Sequence, residues 1–214
     1  MAALPGDLDR LLHDLRGPLN AASMHLEILK RAGHGEPGAL ASVEALRQEV
    51  GRLATLLPAA FAIVALECGK PAPVDLEALV RRVIEEHGLA PVTVAPRPWP
   101  GVHGDARLLG LAVAHLIRNA LTATAAARGE RRPPEVSARP AESGQVALVV
   151  RDWGPGLRTT NARALIRLTT SSTTGRPAVG LVTTERVARL HRGALEFRNP
   201  TEGGAEITLL LPTT

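Results

Sequence analysis

The sequence predicts an α+β protein: a helical hairpin that forms a four-helix bundle by dimerisation, followed by an α/β sandwich with a mixed sheet. Three observations carry this. Two long segments repeat apolar residues at spacings of three and four. A stretch rich in glycine and proline then interrupts the pattern. Beyond it, short apolar runs alternate with helical patterns without regular strand–helix–strand units. The expected division is 1–67 for the hairpin, 68–73 for a linker and 74–214 for the second domain.

The first seam runs through Leu8, Leu12, Leu15, Leu19, Ala22, Leu26 and Leu29. Such a heptad pattern marks a helix packed lengthwise against partners. Gly33, Gly35, Pro37 and Gly38 break it, and a second seam follows at Val43, Leu46, Val50, Leu53, Leu57, Ala60 and Val64. A connection this short makes the two helices antiparallel. One hairpin alone has a narrow core, so the seams point to a homodimer. Gly69, Pro71 and Pro73 mark the linker. Asp75 is placed to cap a helix reaching about His87, Val92 to Ala95 reads as a short strand, and Asp105 to about Ala127 as a longer helix. An apolar strand runs from Gln145 to Arg151, and a helix from Val179 to His191 ends with Gly193 as its C-cap. Two closing strands, Ala194 to Arg198 and Ala205 to Leu211, flank a turn at Gly203-Gly204.

Composition narrows the function classes. The 214 residues are 45% hydrophobic and 21% charged, as in a globular chain able to bury a core. Two Trp, two Phe and no Tyr leave an aliphatic core and no aromatic platforms for stacking on single-stranded nucleic acid. The net charge of +4 comes from scattered arginines rather than a basic block, which reads as solvated surface, not as a nucleic-acid interface. A single cysteine excludes an internal disulfide and suits a reducing cytosol. The longest apolar run, Ala59 to Leu66, is too short to span a bilayer, and the N-terminus shows no signal-peptide pattern. A cytoplasmic protein without membrane contact is therefore expected.

Four clusters could carry chemistry. In His13-Asp14-Leu15-Arg16-Gly17-Pro18-Leu19-Asn20, the heptad frame turns Leu12 and Leu15 inward and His13 outward. Asp14 could accept a proton from one ring nitrogen, leaving the other as nucleophile. Pro18 cannot donate to the carbonyl of Asp14, and Gly17 loosens the helix beside the histidine. A lone exposed histidine is usually ordinary surface, but a glycine and a proline inside a long helix cost stability and ask for a functional reason. His115 and Asn119, four apart, share one helix face, and a carboxamide oxygen suits Mg²⁺ bound jointly with phosphates. A buried asparagine satisfying backbone groups explains Asn119 equally well. Asp152-Trp153-Gly154-Pro155-Gly156 follows a strand directly; a carboxylate there can accept from an exocyclic amine, with glycines admitting the base closely, although a plain turn has the same composition. Finally, Thr169 to Gly175, leading to Gly180, Leu181 and a helix, offers hydroxyls and a helix N-terminus to phosphates, or is simply a polar loop.

The octapeptide at His13 resembles the H-box of two-component sensor histidine kinases. The clusters after it resemble, in order, the N-box, the G1 box and the F and G2 boxes of their ATP-binding domain, of Bergerat/GHKL type. The resemblance spans nearly the whole chain. It implies that His13 takes the γ-phosphoryl group of ATP with Asp14 as general base, that Asn119 binds Mg²⁺, and that Asp152 specifies adenine. Gly154, Gly156, Thr170, Gly180 and Leu181 would then line the nucleotide. The histidine preceding Asn119 looks most like chemotaxis-type kinases, which gives His115 an assisting role in phosphoryl transfer. The implied activity is an autophosphorylating protein histidine kinase that passes the phosphoryl group from His13 to an aspartate on a response-regulator receiver domain. Gly17 stands where the family usually has Thr or Asn to position water for dephosphorylation, so the usual phosphatase activity is not expected. The lysine that often follows the paired threonines is absent, and of the closely spaced glycines only Gly180 remains. A rival reading is a histidine phosphotransferase or pseudokinase that relays phosphoryl groups between receivers without ATP. A purely structural dimerisation module leaves the H-box unexplained. With His13 so close to Met1, input is expected from a separate sensor protein or from a longer chain of which this is a part.

Overall fold

The computed structural model describes residues 6–31, 37–96, 98–127, 132–171 and 175–213. Of the predicted break from Gly33 to Gly38, Gly33 to Glu36 lie outside the described residues, as do Ser172, Thr173 and Thr174 of the polar stretch, while Pro37 and Gly38 belong to the second helix. Contacts divide the chain into two compact units: Met1–Ala65 with Arg167–Val179, and Leu66–Ile166 with Gly180–Thr214.

In the first unit, helices α1 (Gly6–Arg31) and α2 (Pro37–Val64) form the predicted hairpin. Burial splits each seam. Ala22, Leu53 and Ala60 point inward, joined by Leu11, Pro18, Leu56 and Ile63. Leu12, Leu19 and Leu26 on α1, and Val43, Val50, Leu57 and Val64 on α2, stay exposed. Within the single hairpin, Leu11 and Asp14 occupy the inner face beside His13, and Leu12 lies outside it. Two short strands belong to the same unit: β6 (Thr169–Thr170) and β7 (Pro177–Ala178) pair antiparallel, with Ser171 N–H donating to the Arg176 carbonyl at 2.8 Å.

The second unit opens where a linker was expected. Gly69 N–H donates to Asp105 Oδ2 at 2.9 Å, and β1 (Ala72–Val74) pairs antiparallel with β3 (Val102–Gly104). Asp75 caps α3 (Leu76–Glu86), accepting from Ala78 N–H as its position predicted. Asp105 likewise caps α4 (Ala106–Ala125) through the N–H groups of Arg107 and Leu108. The sheet runs β2 (Thr93–Val94), β4 (Glu135–Ala141), β5 (Gln145–Arg151), β9 (Glu206–Pro212), β8 (Ala194–Arg198); β2 is parallel to β4 and every other pair is antiparallel. That is the predicted mixed sheet. Strand β4 escaped the sequence reading because Arg139 and Pro140 dilute its alternation of Val136 and Ala138, yet seven residue pairs hold it to β5.

After the single turn α5 (Ala162–Leu165) comes α6 (Gly180–Leu190), and one sheet face presents Val136, Val146, Leu148, Val150, Ile207, Leu209 and Leu211 to the apolar sides of α3, α4 and α6, which is the core. The opposite face carries a cross-strand row of alternating charge, Glu135, Arg151, Glu206 and Arg198. Helix α4 has the length and hydropathy of a membrane span, but its Leu108, Leu109, Ala112, Val113, Leu116 and Ile117 are buried in the core. Each such large aliphatic contributes roughly 1.5–3 kcal/mol. At the end of α6, the left-handed residue is Arg192 (φ 56°) rather than the predicted Gly193. Glycine stands at 193 because a Cβ there would sit 2.0 Å from the Leu210 carbonyl oxygen.

Candidate functional site

Strand β5 delivers Asp152 to the end of the sheet, 6% exposed. Its Oδ1 accepts two backbone hydrogen bonds, from Gly154 N–H at 2.8 Å and Ala205 N–H at 3.1 Å. The carboxylate is therefore fixed through one oxygen, and Oδ2 is the acceptor left for a ligand. Burial pushes the Asp152 carboxyl above its ordinary range, against the pull of those two bonds and of Arg151.

The glycines around it are dictated by close approach. A Cβ at Gly154 would lie 2.6 Å from the Ala123 carbonyl oxygen on α4. Gly204, at φ +72°, would place one 2.0 Å from the carbonyl of Asp152 itself. Asn199 clamps the outgoing loop, accepting from Leu157 N–H at 2.8 Å and donating to the Leu157 carbonyl at 2.7 Å. The guanidinium groups of Arg151 and Arg132 lie over the Trp153 ring, at 4.3 and 5.2 Å from its centroid, while its Nε1–H donates to the Pro133 carbonyl.

On α4, His115 and Asn119 share the face that meets the start of α6. A Cβ built on Gly180 would lie 3.5 and 3.6 Å from the Asn119 carboxamide atoms and 3.6 Å from His115 Nδ1. Glycine thus keeps the space before an exposed carboxamide and a half-buried imidazole open. Burial, and then the charge of Arg118, holds the His115 pKa below its ordinary value and favours the uncharged ring. Thr184 Oγ1–H donates back to the Gly180 carbonyl at 2.8 Å and steadies this first turn. An exposed carboxamide oxygen before an open helix N-terminus fits Mg²⁺ shared with phosphates, since that ion takes few protein ligands when phosphate oxygens supply the rest.

The second unit therefore brings together Asp152, Gly154, Gly156, His115, Asn119, Gly180 and Leu181. His13, Asp14 and Thr170 fall in the first unit. There His13 is exposed, as its heptad position predicted. The Asp14 side chain is 3% exposed and is bound to Arg167 Nε–H and, at 2.9 Å, to Leu168 N–H. The structure thus occupies both Asp14 oxygens with partners other than His13. Thr170 lies in β6, half-buried, paired with Pro177. Four residues that shape these places were not singled out from sequence: Thr124, Arg167, Asn199 and Ala205. Each acts across a gap of at least 29 residues, and no local motif announces it.

Residues 104–214 match the family described as histidine kinase-, DNA gyrase B- and HSP90-like ATPases. The chain belongs to this ATPase family. It is 29% identical over 223 residues to the signal transduction histidine-protein kinase/phosphatase MprB of Mycolicibacterium paratuberculosis, covering 90% of this chain and 39% of that protein. Among solved structures, the ATP-binding domain of PrrB from Mycobacterium tuberculosis is 25% identical with a TM-score of 0.54, covering 68% of this chain and 99% of that one. Full-length ShkA, solved with AMPPNP, shares the fold at 24% identity and a TM-score of 0.58, covering 99% of this chain and 46% of that one. The chain thus spans about two-fifths of the curated relative and under half of ShkA. Within the ATPase family it has a sensor histidine kinase catalytic core, and its second unit has the GHKL fold.

Proposed function

We propose that this protein is an ATP-dependent autophosphorylating histidine kinase whose phosphoacceptor is His13. The observation that carries the reading is Asp152: a buried carboxylate, immobilised through one oxygen by two backbone N–H groups, in a member of an ATPase family. Such a group accepts from the exocyclic amine of adenine and rejects a base that presents a carbonyl there. Asn119 would hold Mg²⁺, which supplies charge neutralisation for the phosphate oxygens. Gly180 leaves room for the phosphates at the start of α6, and the His115 ring can donate an N–H to one of their oxygens. An exposed His13 ring nitrogen can attack the γ-phosphorus in line as the bond to the ADP oxygen breaks. For Asp14 to take the ring proton, it has to leave Arg167 and Leu168.

The phosphoryl group then passes to an aspartate of a response-regulator receiver domain, with Arg10 and Arg16 flanking His13 to meet its acidic pocket. Gly17 offers no side chain to orient water, so this reading includes no phosphatase step at that position. The exposed half of each seam is the surface a second hairpin covers, which supports a homodimer. Dependence on ATP places the catalytic part in the cytoplasm, and a separate sensor or a preceding part of a longer chain supplies the signal.

Labelled Mg-ATP tests the reading. Acid-labile label is expected on the wild type and is lost in His13→Ala, Asn119→Ala and Asp152→Ala. A chain that takes no label from ATP, but takes it from a phosphorylated receiver and loses this only in His13→Ala, is a relay and overturns the proposal.

A further inference from the structure

Thr124 is 7% exposed, near the end of α4, where the neighbouring Ala125 and Ala126 are exposed. A buried hydroxyl is retained where it has a partner. Its partner is nonlocal: Oγ1 accepts from the backbone N–H of Trp153 at 3.2 Å. Trp153 directly follows Asp152, and its ring is held by Pro133, Arg132 and Arg151. One residue further, Gly154 lies so close to the Ala123 carbonyl that no side chain fits.

We propose that Thr124 is a positioning residue for nucleotide recognition: its hydroxyl ties the peptide of the base-reading carboxylate to the helix that carries the phosphate-side asparagine. The inference rests on the nucleotide reading above. Asn119 and Thr124 are five residues apart on one rigid helix, about 7.5 Å along its axis. Pinning Trp153 N–H to Thr124 therefore sets the span between Asp152, at the base, and Asn119, at the phosphates. A nucleotide has a fixed length between these groups, so affinity and base choice both depend on this span. The other anchors of the Asp152 carboxylate, Gly154 and Ala205, orient its oxygen, but neither belongs to α4. Removing the hydroxyl leaves the Trp153 N–H unsatisfied and lets strand end and helix end drift apart.

The test is equilibrium binding of Mg-ATP and Mg-GTP to the full chain, by calorimetry, for the wild type, Thr124→Val and Thr124→Ser, alongside thermal melts. Thr124→Val is expected to weaken ATP roughly 3- to 10-fold, the range of one hydrogen bond, and to leave the weaker GTP binding unchanged, so that base preference narrows. Thr124→Ser keeps the hydroxyl and restores ATP affinity, which a merely packing role does not predict. Should Val prevent folding, Thr124→Ala carries the same readings. Wild-type ATP affinity in Thr124→Val, or an equal loss of ATP and GTP, overturns the inference while leaving the kinase proposal standing. A wild type that binds neither nucleotide overturns both.

Discussion

Asp152, the proposed acceptor for adenine, is a buried carboxylate kept at a cost to the fold. Burial raises the pKa of its carboxyl in the folded chain. A group shifted upward stabilises the fold fully below its unfolded pKa, and that contribution is lost as pH rises through the folded value. At neutral pH the buried charge is therefore a cost. Asp152→Asn keeps an acceptor for Gly154 and Ala205 but carries no charge. Its melting temperature at pH 7 should equal or exceed that of the wild type, and the difference should shrink in melts at pH 4. ATP affinity, in contrast, should fall roughly 10- to 100-fold. The glycines behave in opposite ways. Gly204→Ala forces a Cβ onto the Asp152 carbonyl at a positive φ and should cost about 3 kcal/mol or more in denaturant unfolding. A Cβ at Gly180 meets ordinary contact distances, so Gly180→Ala should fold normally, and Gly180→Leu should fold yet lose ATP binding.

Between elements, the register of α4 against α6 depends on a histidine that takes no part in the proposed chemistry. His191, 6% exposed at the end of α6, donates from Nδ1–H to the Val187 carbonyl and accepts Asp105 N–H at Nε2, both within 2.9 Å. Asp105 in turn caps α4 and holds Gly69. His191→Phe leaves the Asp105 N–H unsatisfied and should lower stability by about 1–3 kcal/mol in denaturant melts, with nucleotide affinity falling as α4 and α6 slide. The cap at Asp75 and the start of α4 at Asp105 were legible in sequence because capping is local. Strand β4 and the β1–β3 pair were not, because a three-residue strand carries no periodicity and Pro140 argued against a strand that β5 nevertheless holds.

For the whole molecule, the exposed half-seam is the feature with the largest consequence. Leu12, Leu19 and Leu26 on α1, and Val43, Val50, Leu57 and Val64 on α2, recur every seven residues and so form an exposed apolar stripe on each helix. Replacing Val50 and Leu57 together with Glu should convert a dimer into a monomer in sedimentation, with the nucleotide affinity of the second unit retained, since neither residue belongs to it. The proposed phosphorylation of His13 should fall in the same variant.

By itself, the sequence determined the aliphatic hairpin, the outward His13, the Asp75 cap, the mixed sheet and the order of its motifs. All of these rest on spacing and short-range hydrogen bonding, which a linear pattern records. Tertiary structure alone decided which half of each seam is buried, that Asp14 is held by Arg167 and Leu168, and that Thr124, Asn199 and Gly204 shape the surroundings of Asp152. Those contacts join residues 29 to 154 positions apart, and close packing of elements, not local propensity, selects them.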